Sequence, residues 1–184
     1  MTTVVSLLRG INVVGNNKIK MDELRALYES LGLRDVQTYI QSGNVVFRTQ
    51  ARGAAKLSQR LEDAVEENFG FRPRVIVRTL PELRDVIARN PFAKRGGLDP
   101  AKLLVFFLAD LPSREACDKT LAINVGPEEL RMSHNELFIY FPMGQGQSKL
   151  AMGRVEKALG TAATGRNWNT VTKLLELAQA LEGS

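Results

Sequence analysis

The sequence predicts an α+β fold made of two β-α-β-β-α-β units, with one additional helix after each. The order strand, helix, strand, strand, helix, strand can be followed twice along the 184 residues from the spacing of apolar side chains. The turns Ser42-Gly43-Asn44 and Ser133-His134-Asn135 occupy matching places in the two halves. Because β-α-β crossovers are right-handed, each unit is expected to form one sheet of strand order 4-1-3-2 with both helices on one face. This is the ferredoxin-like arrangement, so the chain is expected to be a duplicated α/β plait.

Residues 1–79 are predicted to form the first unit. Its strands are expected at residues 2–9, 36–41, 45–49 and 74–79. Its two helices present apolar side chains on one face and end at Gly32 and Gly70, because glycine readily adopts the left-handed conformation of a helix C-cap. The large side chains predicted to be buried are Val4, Leu24, Leu27, Leu57 and Leu61.

Residues 80–100 are predicted to be a short helix, Leu80 to Asn90, and a linker that contains Gly96-Gly97. The second unit is expected at residues 101–166, with Leu104, Val155 and Leu159 buried. Its strands are expected at residues 102–109, 130–132 and 137–141 and in a stretch that ends near residue 166, and its helices at 113–121 and 149–159. The last segment, residues 167–184, is expected to be a helix from about Thr170, with Asn167 or Asn169 as its N-cap.

The composition is that of a globular protein, with 44% hydrophobic and 24% charged residues. The lone Cys117 cannot form an internal disulfide, and no segment reaches the roughly 20 apolar residues of a membrane span. We therefore expect a cytoplasmic protein. The net charge of +5 is concentrated between Phe71 and Arg95, where seven basic residues stand against two acidic ones.

Polar residues follow the first and second predicted strands. Those two strands are parallel, so the loop after one and the hairpin after the other are expected at the same end of the sheet. The candidate ligand-binding residues there are Arg9, Asn12, Lys18, Gln41, Ser42 and Asn44. Hydrogen-bonding groups outnumber acid–base groups in this set, which favours recognition of a polar or anionic ligand over proton-transfer catalysis. The alternative is that Asn12 and Asn44 serve turns and Arg9 pairs with an acid.

A glycine-rich loop, Gly144-Gln145-Gly146-Gln147-Ser148-Lys149, precedes a predicted helix. Helix N–H groups, the Ser148 hydroxyl and the Lys149 ammonium are typical of an anion site. The spacing is not that of a Walker A motif. The alternative is an ordinary loop in which Ser148 is the N-cap.

Arg166, Asn167 and Trp168 begin the last helix. An arginine and an indole there are candidates for lining a ligand pocket, whereas the alternative is a core tryptophan beside an asparagine cap. No metal site is predicted, because His134 stands in a hairpin turn without Cys, Asp or Glu at ligand spacing.

A second functional hypothesis uses Arg72, Arg74 and Arg78 as a basic stripe for sequence-tolerant binding of nucleic acid. The alternative is that charges on this predicted edge strand prevent sheet-to-sheet aggregation. Binding of RNA by the sheet would require exposed aromatic side chains on the central strands. The first unit offers Val4, Ser6, Leu8, Val45 and Phe47, which form a poor platform for stacking. The second offers Phe106, Phe107, Phe138 and Tyr140, and the alternative is that its sheet face packs against the other unit or the last helix.

Several segments together resemble the bacterial domain-of-unknown-function family 1697. They are Leu8-Arg9-Gly10-Ile11-Asn12-Val13, Asn17-Lys18-Ile19-Lys20-Met21, Tyr39-Ile40-Gln41-Ser42-Gly43-Asn44-Val45, Ser148-Lys149-Leu150 and Arg166-Asn167-Trp168-Asn169-Thr170. The resemblance implies two ferredoxin-like halves and implies no activity, catalytic residue or cofactor. Members usually read Val-Gly-Gly where this chain has Val13-Val14-Gly15.

The leading hypothesis is therefore binding of a small anionic or nucleotide-like ligand through polar loops. Nucleic-acid binding through the basic stripe and a role as a protein–protein adaptor are the alternatives. Whether the protein is an enzyme stays open, since no catalytic constellation is recognised, and no cofactor is predicted.

Overall fold

The computed structural model describes residues 1–123 and 126–183, so Ser184, the last residue of the predicted C-terminal segment, lies outside the described residues. The chain divides into two compact units. The first comprises Met1–Arg84 together with the chain from Lys173 onward, and the second comprises Asp85–Thr172. Each contains one four-stranded antiparallel sheet. Among the described residues, no helix has the length and apolar character needed to cross a bilayer.

The first unit has the predicted β-α-β-β-α-β order. Its elements are β1 (Thr2–Leu8), α1 (Met21–Ser30), β2 (Arg34–Tyr39), β3 (Asn44–Thr49), α2 (Ala54–Phe69) and β4 (Val75–Thr79). The strand order is β2-β3-β1-β4, which confirms the predicted arrangement with β4 at an edge. A further helix, α3 (Leu80–Ala88), follows β4 directly.

Helices α1 and α2 cover one face of the first sheet. The α2 side chains Leu57, Leu61 and Val65 fall on one face and are buried in the same cluster as Val4 and Phe47. The α2 helix ends where Gly70 adopts φ 77° and its N–H donates to the Glu66 carbonyl. The core under these helices is therefore the predicted one.

A buried tyrosine provides the polar contact within this core. The hydroxyl groups of Tyr28 and Ser6 lie 3.0 Å apart. The Tyr28 ring meets Phe47 edge to face, with the ring centroids 5.4 Å apart. Burial raises the pKa of the Tyr28 phenol well above its ordinary value. The hydrogen bond with Ser6 lowers this pKa, but by less than burial raises it.

The second unit repeats the order, and a longer helix that begins in this unit and continues beyond Thr172 follows its last strand. Its elements are β5 (Leu103–Leu108), α4 (Arg114–Leu121), β6 (Glu129–Ser133), β7 (Glu136–Tyr140), α5 (Met152–Leu159), β8 (Ala163–Asn167) and α6 (Trp168–Glu182). Two short 3-10 turns, Pro100–Lys102 and Gln145–Gln147, precede β5 and α5. The strand order β6-β7-β5-β8 is the predicted one again.

The core of the second unit contains a close contact between a ring and a glycine. Phe106 on β5 is paired with Gly165 on β8. A Cβ atom at Gly165 would lie 2.6 Å from Cε1 of Phe106, so the ring occupies the space that any other side chain would need. Leu104, Val155 and Leu159 belong to the same buried cluster, as predicted.

The duplication extends to a buried arginine on each fourth strand. Arg78 on β4 is paired with Val5, and Arg166 on β8 is paired with Val105. Each guanidinium donates to the carbonyl of the residue before it, at 3.0 Å in β4 and 2.9 Å in β8. Burial lowers the pKa of Arg166 to about 10, so this group keeps its charge at neutral pH.

The residue after each of these arginines caps the next helix. Thr79 precedes α3 and forms a capping box with Glu82: the Glu82 carboxylate accepts from the Thr79 N–H at 2.7 Å. Asn167 precedes α6, and its Oδ1 accepts from the Asn169 N–H at 2.9 Å. Of the two predicted N-caps, Asn167 is thus the one used.

The sheet faces that were considered for RNA binding are buried in the structure. Val4, Ser6, Leu8, Val45 and Phe47 are all buried, and the four apolar ones belong to the core that includes α1 and α2 residues. The opposite face of the first sheet is also buried at Thr3, Val5, Leu7, Val46 and Ile76. In the second unit Phe106, Phe107, Phe138 and Tyr140 are buried as well. Neither sheet presents exposed aromatic rings for stacking on bases.

We expect truncation of a core leucine in the second unit to lower stability sharply. Leu159→Ala should reduce the free energy of unfolding by about 2 to 5 kcal/mol, because it removes buried methyl groups and leaves a cavity. The matched control is Leu111→Ala, since Leu111 is 64% exposed, and we expect a change within about 0.5 kcal/mol. Urea denaturation measures both variants, and equal losses would contradict the assigned core.

Candidate functional site

Two loops meet at one end of the first sheet, as predicted. Residues 9–20 follow β1 and residues 40–43 follow β2. The Leu8 N–H donates to the Gly43 carbonyl at 2.9 Å, and the Asn12 side-chain amide donates to the Gln41 carbonyl at 2.8 Å. We call this pair of segments the loop pair.

Asn12 is the residue that joins the loop pair. Its Nδ2 donates to the carbonyls of Ile19 and Gln41, and its Oδ1 accepts from the Ile19 N–H at 2.9 Å. Asn12 has φ 56°, a left-handed conformation that asparagine tolerates better than most residues. The side chain thus fixes the course of the backbone on both sides of the site.

Ser42 and Asn44 hold the turn between β2 and β3. Asn44 is fully buried, and its Nδ2 donates to the Tyr39 carbonyl at 3.0 Å and to the Ser42 hydroxyl at 2.9 Å. Asn12 and Asn44 thus both make the hydrogen bonds expected of residues that serve turns. These side chains shape the site.

Gly43 is confined by contacts as well as by its backbone conformation. It has φ 76°, and a Cβ atom there would lie 2.9 Å from Cβ of Leu8 and 3.1 Å from Cγ1 of Ile11. Both neighbours are buried, so they have little room to shift. Only glycine fits the turn without strain.

The tip of the first loop is a tight turn with a valine at its centre. Val13 and Asn16 form an isolated bridge, and the Asn16 N–H donates to the Val13 carbonyl at 3.0 Å. Val14 and Gly15 have φ 47° and 79°, the signs required at the two central positions of a type I′ turn. Val14 therefore takes the conformation that suits the glycine usual in the resembled family, and its side chain is 94% exposed.

A pocket of about 580 Å³ opens beside the loop pair. It is lined by Asn12, Gly15, Lys18, Ile19, Lys20, Glu23 and Gln41. Of the predicted residues, Asn12, Lys18 and Gln41 therefore lie together. Arg9 is exposed at the start of the loop, and its backbone N–H donates to the Arg74 carbonyl.

Lys20 and Glu23 were not predicted as site residues, although both line the pocket. The alternation of Lys18, Ile19 and Lys20 could have indicated that both lysines lie on the same side of the loop. The two lysines flank Ile19, which is buried at 3% exposure. Lys20 Nζ lies 3.9 Å from Glu23 Oε1, with the two side chains 79% and 53% exposed. An exposed pair at this distance holds its partners weakly, so both groups can bind other partners.

The glycine-rich loop of the second unit differs from the prediction. Residues Gln145–Gln147 form a 3-10 turn, and α5 begins at Met152, three residues later than predicted. The Ser148 hydroxyl accepts from the Leu150 N–H at 3.0 Å, and Ala151 stands at the N-cap. Ser148 and Lys149 thus precede the helix, and the prediction of Ser148 as its N-cap is wrong.

The other candidates in the second unit are engaged within the protein. Arg166 is buried and donates to the Thr164 hydroxyl at 2.8 Å. Asn167 caps α6 and donates to the Ala101 carbonyl at 2.7 Å. The Trp168 ring is half-buried, with its centroid 6.3 Å from that of Phe138. These contacts match the asparagine cap of the alternative interpretation, whereas Trp168 is only partly buried.

The basic stripe is largely offset by acids. Arg72 donates to Asp63 and Glu66, and these hydrogen bonds raise the pKa of its guanidinium above the ordinary value. Arg74 lies 3.6 Å from Glu62, and Arg78 is buried. Further ion pairs in the same stretch join Arg84 to Glu182, Arg89 to Glu136 and Arg95 to Glu129.

No metal centre is apparent in the part of the chain that the structure describes. Within residues 1–123 and 126–183, no three His, Cys, Asp or Glu side chains are placed so that they could hold a metal ion. His134 is exposed in the β6–β7 turn with φ 54°, and Cys117 is half-buried on α4.

Comparison with known proteins places the chain among proteins of unassigned role. Residues 1–138 match the family model described as "Protein of unknown function (DUF1697)". The structure is similar to that of the conserved bacterial protein SP0830 from Streptococcus pneumoniae, with a TM-score of 0.72 and 25% identity over 96% of this chain and 98% of that chain. An unknown protein from Galdieria sulphuraria matches with a TM-score of 0.26 and 13% identity over 90% of this chain and 98% of that chain. No curated protein matches.

We expect Gly43→Ala to destabilise the protein by about 2 to 4 kcal/mol, because it adds both a left-handed alanine and a collision with Leu8 and Ile11. The matched control is Gly32→Ala. Gly32 has φ 75° but nothing within 4 Å of a Cβ atom, so Gly32→Ala introduces backbone strain without a steric collision. Chemical denaturation should show the larger loss at Gly43, and equal losses would contradict the close approach.

We expect Val14→Asn to stabilise the protein by about 0.5 to 1 kcal/mol, because asparagine tolerates the left-handed conformation that strains a β-branched residue. The neighbouring Val13→Asn is the control, since Val13 is exposed but not among the residues with positive φ. A loss of stability in Val14→Asn, measured by thermal unfolding, would contradict the type I′ assignment.

Proposed function

This chain belongs to the family described as proteins of unknown function, DUF1697, and from the geometry of its first unit we propose that it binds a small anionic ligand in the pocket beside the loop pair. The observation that carries the proposal is the combination of two exposed lysines, Lys18 and Lys20, with a backbone that Asn12 holds in place. A rigid loop loses little entropy when a ligand binds, so cations held on it are suited to recognition.

The size of the pocket supports a small ligand. Its volume of about 580 Å³ falls within the range of roughly 300 to 1,000 Å³ that is usual for small-molecule sites. Its cationic groups are ammoniums without a histidine or cysteine beside them among the lining residues. Ammonium groups attract negative charge, so this lining supports the binding of an anionic ligand.

The backbone of the first loop gives further support. Within residues 10–17, five positions have positive φ: Gly10, Asn12, Val14, Gly15 and Asn17. Left-handed conformations at residues other than glycine are energetically costly, and they concentrate where function requires a particular shape. The loop keeps this left-handed conformation even at Val14, which is a β-branched residue. The Val14 side chain is 94% exposed, so packing does not require a valine at this position.

No observation favours the alternative of nucleic-acid binding through Arg72, Arg74 and Arg78. Arg72 and Arg74 face carboxylates, and Arg78 is buried. The alternative stays a prediction from sequence.

We expect the melting temperature to rise when phosphate-bearing metabolites or carboxylates are added at millimolar concentration. A ligand at ten times its Kd should raise Tm by about 3 to 6 °C. Lys18→Gln should weaken binding by about tenfold or more, because it removes a charged hydrogen-bond donor from the pocket. Differential scanning fluorimetry over nucleotides, sugar phosphates and carboxylates makes the measurement.

The matched control is Lys157→Gln, which removes an exposed lysine from α5, outside the pocket, with the same change in net charge. It should respond to ligand as the unchanged protein does. If no anion raises Tm, or if both variants lose the response equally, the pocket does not bind anions.

A further inference from the structure

One carboxylate lies in the same pocket as the two lysines. Glu23 lines the pocket from the first turn of α1, where the positive end of the helix dipole favours a negative side chain. A pocket for an inorganic anion alone gains nothing from a carboxylate, which repels the ligand. A carboxylate accepts hydrogen bonds, so it suits a ligand that also carries donors.

Gln41 adds a neutral residue to the lining of the pocket. Its backbone carbonyl is held by Asn12 at 2.8 Å, and the Gln41 side chain is exposed beside the pocket. A carboxamide both donates and accepts hydrogen bonds, which matches hydroxyl groups. Cations and neutral hydrogen-bonding groups thus line the same pocket.

A hydroxyl group of the ligand suits donation to Glu23 better than an ammonium group does. Lys20 Nζ lies 3.9 Å from Glu23 Oε1, so an ammonium that reaches Glu23 also approaches Lys20 and is repelled. A hydroxyl donates to the carboxylate without that repulsion. None of the lining residues is aromatic, so the pocket offers no ring on which a nucleobase could stack.

We propose, on the basis of the proposed function, that the ligand is a phosphorylated sugar or polyol. Its phosphoryl group contacts the ammoniums of Lys18 and Lys20, because a phosphoryl group carries close to two negative charges at neutral pH. Its hydroxyl groups donate to Glu23 and exchange hydrogen bonds with the Gln41 carboxamide. The lysines supply the charge recognition, and Glu23 with Gln41 distinguishes this class from free phosphate.

Isothermal titration calorimetry with ribose 5-phosphate, inorganic phosphate and ribose tests the proposal. We expect ribose 5-phosphate to bind at least about tenfold more tightly than phosphate, because hydroxyl contacts to a charged acceptor add to the phosphoryl contact. Glu23→Gln should weaken ribose 5-phosphate binding by about tenfold and leave phosphate binding unchanged or tighter. Lys18→Gln should weaken both.

Asp22→Asn is the matched control, because Asp22 precedes Glu23 in the same helical turn, is exposed and does not line the pocket. It should leave the preference for ribose 5-phosphate intact. Equal affinity for phosphate and ribose 5-phosphate, or equal effects of Glu23→Gln and Asp22→Asn, would overturn the inference while anion binding stands. Binding of neither phosphate compound would overturn the proposed function as well.

Discussion

The crossover from β1 through α1 to β2 is the constraint on which the loop pair and the core both depend. Both strands pair antiparallel with β3, so they run parallel to each other and the segments after them emerge at the same end of the first sheet. Residues of α1 and α2 pack in one core, which includes Val4 and Phe47. The hydrogen bonds from Leu8 to Gly43 and from Asn12 to Gln41 follow from this placement. A pocket with cations on one loop and a carboxamide on the other is thus a consequence of topology.

The two units share their framework and differ in the loops that it carries. Arg78 and Arg166 occupy equivalent positions, and the residue after each caps the next helix. The segment between the first strand and the first helix, however, runs over residues 9–20 in the first unit and only over residues 109–113 in the second. The longer segment forms the tight turn and the pocket. Such variation of loops on a repeated scaffold is how copies of one fold come to present different surfaces.

Most of the fold could be predicted because the helices are amphipathic and the turns contain glycine. The α2 helix ends at Gly70, as predicted. The faces of β1 could not be assigned, because Val4 and Val5 are both buried and the strand shows no alternation of apolar and polar residues. The start of α5 was misplaced because the Ser148 hydroxyl turns the backbone through its bond with Leu150 before the helix begins. For the site, sequence placed Asn12, Lys18 and Gln41 together, but the inclusion of Glu23 depends on where α1 starts.

The division of the chain into units has a consequence for the order in which they can form during synthesis. The second unit is continuous, Asp85–Thr172, whereas the first needs both Met1–Arg84 and the chain from Lys173 onward. Leu174, Ala178 and Leu181 from this last stretch are buried. On the ribosome, all residues of the second unit have therefore emerged before the first has its last helical segment. The unit that carries the pocket is the last to be completed, although its first strand is made first.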